Sequence, residues 1–218
     1  MRTRFEHELN DMHEQLIQMA SLAENAIDQA VDALQKMDAA KARKIMENDD
    51  EVDQKEKDIE RCCLRLLLQQ QPVAKDLRNV STALKMITDL ERIGDQAADI
   101  AEIVVYLCDK PVFTMPSGIS EMAAATMKMV RDSINAFVRE NLDQAHFVIH
   151  YDNVVDKAFL STRDQLVEQL KHSTVNPDQM MDLLMIAKYF ERIGDHAVNI
   201  AEWVVFSVTG AHKDSRVM

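Results

Sequence analysis

Two stretches of the chain, one hundred residues apart, carry acidic side chains at helical spacing. Residues 91–102 read ERIGDQAADIAE and residues 191–202 read ERIGDHAVNIAE, so that nine of the twelve letters are shared. An α-helix turns about 100° per residue, which brings the acidic residues of the first stretch within a sector of about 80°. Those residues are Glu91, Asp95, Asp99 and Glu102. The spacing therefore predicts a stripe of carboxylates along one helix face.

Pairs of aspartates precede both stretches. Asp49 and Asp53 lie upstream of the first, Asp152 and Asp156 lie upstream of the second, and each pair has the i,i+4 spacing of one helix face. An antiparallel neighbouring helix could present such a pair across a groove. Like charges at this spacing destabilise a helix, whereas divalent cations take several oxygen ligands. The two sets together predict a shallow, oxygen-rich surface for metal ions.

Each repeated stretch also contains a glycine within a helix, where glycine costs up to about 1 kcal/mol relative to alanine. Gly94 lies on a face of mostly small apolar residues beside the acidic stripe, and Gly194 holds the same position in the second stretch. This pattern predicts that a neighbouring helix approaches closely at both glycines. The acidic stripe would then follow the edge of a tight helix contact.

A simpler interpretation of the stripe is a solvated helix face, as most charged stripes are. Arg92 and Arg192 lie about 100° round the helix from the leading glutamates, too far to neutralise a whole stripe. Recurrence of the entire block, with an aspartate pair upstream both times, favours a binding surface. Asp143, His146 and His150 also share a helix face, but the first half has no matching set, so we interpret them as solvated residues.

The whole chain has the composition and periodicity of a helical protein. Among 218 residues there are four glycines and four prolines, aromatic residues make up 5%, and apolar residues recur at steps of three and four. Asn176 followed by Pro177 predicts a capped start for the last helix. Periodicity and prolines together predict six long antiparallel helices, at about 5–37, 39–70, 73–109, 117–141, 143–171 and 176–208.

The six helices form two copies of one three-helix unit. The segment 109–120, DKPVFTMPSGIS, is the strongest linker signal in the chain and lies at its middle. Repeat offsets of 103 and then 100 residues indicate a joint about three residues shorter in the second half. The predicted fold is all-α, a tandem repeat of two three-helix bundles. We assign 1–110 to the first bundle, 117–210 to the second and 211–218 to a flexible tail.

Charge and motif content exclude several classes of protein. A net charge of -12 repels nucleic acid and anionic lipid. No apolar run reaches the roughly 20 residues of a spanning helix and no signal peptide is present, so we expect a soluble protein without direct membrane insertion. Of three cysteines, Cys62 and Cys63 are adjacent, which favours structural roles in a reducing cytosol. Phosphate-loop, G-x-S-x-G and H-E-x-x-H motifs are missing, so we expect no enzyme.

The repeated motif resembles that of a known family. Two E-R-I-G-D-x-A-x-[DN]-I-A-E blocks, each preceded by D-x-x-x-D, and the lead-in VAKDLRNVSTALKMITDLERIGD (73–95) are similar to the PhoU family of bacterial phosphate-transport accessory and regulatory proteins. The resemblance covers nearly the whole chain. It implies a cytoplasmic protein, often a homodimer, that is peripheral to the inner membrane through its partners. It also implies iron, zinc or other divalent ions on the acidic faces of some members.

The resemblance further implies a function. Members restrain phosphate uptake and act as negative regulators of the phosphate-starvation (Pho) response. The implied partners are the ATPase subunit of the high-affinity phosphate ABC transporter and a phosphate-sensing histidine kinase, between which the protein would be a non-enzymatic adaptor. An alternative from another class is a divalent-metal-binding helical bundle for ion buffering or sensing.

The family's acidic motifs carry over to nine positions of this chain. These are Asp49, Asp53, Glu91, Asp95 and Asp99 in the first half and Asp152, Asp156, Glu191 and Asp195 in the second. Asn199 stands where the second half would have its third carboxylate, and a neutral amide is a weaker ligand. We therefore expect the second site to bind metal less tightly or to hold fewer ions.

Overall fold

The described part of the chain is almost entirely helical. The computed structural model describes residues 2–70, 74–110, 114–171, 176–212 and 215–216. The helices in these ranges are α1 (Arg2–Lys36), α2 (Ala39–Glu47), α3 (Asp49–Gln70), α4 (Ala74–Cys108), α5 (Ser117–Val138), α6 (Leu142–Leu170) and α7 (Pro177–Thr209). Two antiparallel two-residue strands, β1 (Ala211–His212) and β2 (Ser215–Arg216), follow α7. The all-α fold predicted from the sequence is confirmed, whereas flexibility of 211–218 stays a prediction.

The stretch 39–70, predicted as one helix, is interrupted at Asn48. Asn48 ends α2, with its backbone N–H bonded to the carbonyls of Ile45 and Lys44. Asparagine favours helix ends because its side chain competes for backbone hydrogen bonds. The first turn of α3 is acidic, which suits the positive end of a helix dipole. Asp49, a candidate ligand, is therefore the first residue of a helix.

The joints that follow α1 and α5 have the same construction. Met37 and Glu140 adopt the left-handed conformation, with φ of 52° and 50°. Asp38 and Asn141 come next and cap α2 and α6, each side chain accepting a hydrogen bond from the backbone N–H three residues on, at 3.0 and 3.1 Å. The two halves thus share a tight turn in detail, as an internal duplication predicts.

The helices pack as two bundles that share one apolar core. Helices α1 to α4 pack together, as do α5, α6 and α7, and the bundles meet where α4 packs on α7 and α1 on α5. Fully buried side chains from both halves, such as Leu90 and Phe190, belong to the same core cluster. α4 ends at Cys108, immediately before the segment 109–120 that was predicted as the linker, and α5 begins at Ser117 within that segment. Residues 111–113 lie outside the described part of the chain.

The last helix begins where the sequence predicts. Asn176 caps α7 by accepting a hydrogen bond from the backbone N–H of Asp178 at 2.9 Å, and Pro177 is the first helical residue. Gly210 ends α7 with φ of 77°, a conformation that glycine adopts without strain. Among the helices of the described ranges, none combines the length and the apolar character that crossing a membrane requires.

Candidate functional site

The candidate site consists of carboxylates on two helix pairs, α3 with α4 and α6 with α7, which pack against each other. The first acidic cluster contains Asp49, Asp53, Glu56, Glu91, Asp95 and Asp99, whose charges act on one another. The second acidic cluster contains Asp152, Asp156, Glu191 and Asp195. All nine carboxylates predicted from the sequence lie in these two clusters. Their role as metal ligands stays a prediction.

The glycines of the repeated stretches allow the upstream aspartates to approach. A Cβ atom on Gly94 would lie 3.2 Å from Cγ1 of Val52 and 3.5 Å from Oδ1 of Asp49. A Cβ atom on Gly194 would lie 3.0 Å from Oδ1 of Asp152. The close helix contact predicted at both glycines is therefore confirmed. It brings one carboxylate of each upstream pair against the backbone of the neighbouring helix.

Crowding of like charges and burial raise several pKa values in the first acidic cluster. Burial, followed by the charges of Asp95 and Asp53, raises the pKa of Asp49 to about 6. Burial and Asp95 also raise the pKa of Glu91 and that of Asp99. The Oε2 atom of Glu91 is buried and accepts no hydrogen bond from the described residues, although the Nε atom of Arg92 lies 3.3 Å away in an ion pair. The cluster therefore favours uptake of a proton or of a metal cation.

The second acidic cluster also contains an aspartate with a strongly raised pKa. Burial, followed by the charges of Asp156 and Asp195, raises the pKa of Asp152 to about 6. Asp195 is exposed as a whole residue. The helices beside its carboxyl group nevertheless desolvate it, and with the charge of Glu191 they raise its pKa. Lys188 acts in the opposite direction and lowers the pKa of Asp195.

Glu56 is a member of the first acidic cluster that reasoning from the sequence missed. Burial and the charge of Asp53 raise its pKa, and its own charge contributes to the raised pKa of Glu91. Asp49, Asp53 and Glu56 follow one another at steps of four and three, which is the spacing that revealed the stripe on α4. Extending the upstream pair by one helical turn would have found it. The equivalent residue of the second half is Phe159.

Arg92 reaches further into its cluster than its angular position on the helix predicts. Its Nη1 atom lies 2.7 Å from Oδ2 of Asp95, and its Nε atom lies 3.3 Å from Oε2 of Glu91. The Arg92 side chain is 52% exposed, and exposed ion pairs contribute about 0–1 kcal/mol. Neutralisation is partial, as expected, because the pKa of Asp49 remains raised.

The acidic stretches also meet each other where α4 packs antiparallel to α7. Nδ1 of His196 lies 2.8 Å from Oδ1 of Asp89, and the amide of Asn199 donates to the same oxygen at 3.2 Å. Asp99, the counterpart of Asn199, accepts a hydrogen bond from the Tyr189 hydroxyl, which lowers its pKa against the raising effect of burial. We call these five residues the α4–α7 seam. Asn199 is therefore engaged in the seam, in addition to being a weaker ligand.

Other candidate residues from the sequence do not assemble. Nδ1 of His150 lies 2.7 Å from the backbone carbonyl oxygen of His146, and both side chains are exposed together with Asp143. Cys62 and Cys63 are buried free thiols, in agreement with structural roles. Across the described ranges, no three Asp, Glu, His or Cys side chains converge as a preformed metal site. Side chains of the acidic clusters would have to rotate to bind an ion.

The first acidic cluster fits a divalent cation by the chemistry of its donors. All six members offer carboxylate oxygens, which are the ligands that hard cations prefer. A cavity of about 40 Å³ adjoins Asp49, between α1, α3 and α4, and is lined by polar groups that include Asn25 and Gln29. It is large enough for a water molecule.

Comparison with known proteins matches both halves of the chain. The model of the PhoU domain matches residues 16–104 and again residues 119–204. A phosphate-specific transport system accessory protein PhoU homolog of Clostridium acetobutylicum is 36% identical over 98% of both chains. The crystal structure of PhoU from Pseudomonas aeruginosa is similar with a TM-score of 0.88 and 34% identity, covering 95% of this chain and 100% of that chain.

A second solved structure has the same architecture. The phosphate transport system regulatory protein PhoU from Streptococcus pneumoniae is similar with a TM-score of 0.90 at 27% identity. The similarity covers 96% of this chain and 99% of that one. The likeness therefore extends to both bundles and to their arrangement.

Proposed function

The chain belongs to the PhoU family, and we propose that it is an accessory and regulatory protein of phosphate transport. The observation that carries this proposal is the match of both repeats, with relatives aligned nearly from end to end. In its finer form, the proposal is that the protein restrains phosphate uptake and negatively regulates the phosphate-starvation response. It would do so as a non-enzymatic adaptor between the ATPase subunit of the high-affinity phosphate ABC transporter and a sensor histidine kinase.

The architecture supports an adaptor. The two bundles share a core and are joined along two helix pairs, so they form one body with two related faces. A body of this kind can hold two partners at a fixed separation. Its net charge of -12 favours partners with basic docking surfaces. The proposal includes a cytoplasmic location, peripheral to the inner membrane through these partners, and assembly as a homodimer.

Metal binding is a second part of the proposal. We propose that divalent ions, with iron and zinc among the candidates, bind the acidic clusters. Burial and mutual repulsion disfavour the ionised form of these carboxyl groups, and a bound ion would neutralise their charge. The ion would also make the contact between α3 and α4 more rigid. The fit is closer in the first acidic cluster, where every member is a carboxylate.

A chromosomal deletion tests the regulatory role. We expect cells that lack the protein to express a phosphate-starvation reporter in phosphate-rich medium, because the kinase would lose its restraint. Reintroducing the wild-type chain should restore repression. Normal repression in the deletion strain would contradict the proposal.

A metal buffer is the alternative function, and the acidic clusters are the observation that favours it. An adaptor and a buffer differ in the phenotype of deletion under metal stress. A buffer predicts sensitivity to excess metal with an unchanged phosphate response, whereas an adaptor predicts the reverse. Measuring growth in excess metal and the reporter in one strain separates the two.

A further inference from the structure

The two acidic clusters are compensated in different ways. We propose that Lys188 is a built-in counter-ion of the second acidic cluster, so that its ammonium group takes the role of a metal cation there. Divalent ions would then bind the first acidic cluster alone. This inference rests on the metal binding proposed above and narrows it to one half of the molecule.

The contacts of Lys188 support this role. Its ammonium group forms an ion pair with the Oε2 atom of Glu191, one turn further along α7. The same nitrogen lies 5.5 Å from the ring centroid of Phe159 on α6, within the range of a cation–π interaction. The ammonium group is thus held between α6 and α7, in contact with one of the four carboxylates of its cluster.

At the equivalent positions, the first half has residues of different charge and polarity. Thr88 stands where the second half has Lys188, and Glu56 stands where it has Phe159. A cation and its aromatic support are therefore replaced by a neutral hydroxyl and a further carboxylate. Both differences raise the affinity of the first acidic cluster for an external cation relative to that of the second.

Counting the available ligands gives the same result. Lys188 pairs with Glu191, which leaves three carboxylates of the second acidic cluster outside this ion pair, and Asn199 is hydrogen-bonded in the α4–α7 seam. Arg92 contacts two of the six members of the first acidic cluster, which leaves four carboxylates, Asp99 and the three on α3, outside these ion pairs. Hard cations require several oxygen ligands at once, so the first acidic cluster is the better site. The ammonium group of Lys188 further lowers the affinity of the second acidic cluster for a divalent ion.

Exchanging the paired residues between the halves tests the inference. The first variant carries Lys188→Thr and Phe159→Glu, and the reciprocal variant carries Thr88→Lys and Glu56→Phe. Binding of Mn²⁺, and separately of Zn²⁺, to chelator-treated full-length protein is measured by calorimetry. Asp95→Asn and Asp195→Asn report which cluster is occupied, and thermal unfolding without metal confirms that each variant folds.

We expect the wild-type protein to bind Mn²⁺ or Zn²⁺ at a site that Asp95→Asn abolishes and Asp195→Asn leaves intact. The Lys188→Thr, Phe159→Glu variant should gain a second class of sites, which adding Asp195→Asn removes. The reciprocal variant should bind at least tenfold more weakly. Because Phe159→Glu alters a packed residue, Lys188→Thr alone serves as the second variant and should show the same gain in weaker form.

Two results would overturn the inference, and they differ in what else they affect. If Asp95→Asn and Asp195→Asn each remove an equal share of the bound ions from the wild-type protein, both clusters bind metal and Lys188 is no substitute. The proposed metal binding would survive that result. If neither the wild-type protein nor the Lys188→Thr, Phe159→Glu variant binds either ion, the metal proposal is wrong as well.

Discussion

The two halves of the molecule agree in their helix contacts and differ in their charges. In each half, a residue in the left-handed conformation and a capping side chain follow the first helix, α1 or α5. In each half, an aspartate also packs against a glycine on the last helix, α4 or α7. At three exposed or half-buried positions they differ, as Thr88 with Lys188, Glu56 with Phe159 and Asp99 with Asn199. Packing therefore constrained the duplicated unit more tightly than electrostatics did. The groove that the packing creates could then acquire different chemistry in each half.

The α4–α7 seam shows the same contrast at closer range. Equivalent positions hold Asp89 and Tyr189, and each makes a side-chain hydrogen bond to the opposite helix. Asp89 accepts bonds from two side chains, whereas the Tyr189 hydroxyl donates one to Asp99. The seam residues thus occupy nearly equivalent positions on the two helices, but their side chains form different hydrogen bonds. It connects Asp99, in the first acidic cluster, directly to the second bundle.

The largest effects should come from filling the space at the glycines. We expect Gly94→Leu and Gly194→Leu each to lower the free energy of unfolding by about 3 kcal/mol, since overpacking a helix contact forces side chains and backbone apart. Chemical denaturation of each variant measures this change. Similar losses would confirm that the close contact is common to both halves. A loss below about 1 kcal/mol in one variant would show that its half tolerates separation of the helices.

An intermediate effect should distinguish the two sides of the seam. Asp89→Ala leaves His196 and Asn199 without their common acceptor, and we expect it to cost about 2 kcal/mol. Tyr189→Phe removes one hydroxyl and should cost less than about 1 kcal/mol. Both values follow from denaturation at neutral pH. Equal costs would contradict the asymmetry described for the seam.

The smallest effect should be a gain in stability that depends on pH. Asp49 and Asp152 have a pKa of about 6 in the folded protein against an ordinary 3.8. The folded state therefore binds these protons more tightly, and ionisation costs stability as pH rises from about 4 to 6. Above pH 6, Asp49→Asn and Asp152→Asn should each stabilise the metal-free protein by about 1 kcal/mol, after allowance for solvent screening.

The same variants provide their own control at low pH. Below about pH 4 the carboxyl groups are protonated in both states, so the gain should vanish there. Denaturation in chelator at pH 8 and at pH 3.5 makes the comparison. A loss of stability at pH 8 in either variant would show that its carboxylate is compensated in the metal-free protein.

Sequence patterns revealed the part of the site that lies on single helices. Helical spacing identified the stripe on α4 and the aspartate pair on α3, and the repeated glycines predicted the close contact between these helices. Glu56 follows the same spacing on α3, and extending the aspartate pair by one helical turn would have identified it. The α4–α7 seam had no signal at all, because the contact of Asp89 with His196 joins residues 107 positions apart. Which residues of two packed helices lie opposite each other depends on side-chain packing, and the periodicity of one helix does not predict it.

The break at Asn48 and the reach of Arg92 were also outside what periodicity can predict. Apolar spacing continues through residues 39–70, so the interruption depends on local hydrogen bonds at one asparagine. Helical angles place the Cα of an arginine but not the end of its long side chain. Arg92 therefore contacts Glu91, about 100° away round the helix, in addition to Asp95, its neighbour at i,i+3 spacing.

The proposed adaptor role is tested most directly by purifying the tagged chain from phosphate-replete cells and identifying co-purified proteins by mass spectrometry, with bound metals counted in the same sample. The account predicts recovery of a phosphate-transporter ATPase subunit, a sensor histidine kinase or both, at levels that exceed those with a tagged control protein. Recovery of metal without either partner would contradict the adaptor role and favour the metal-buffering alternative.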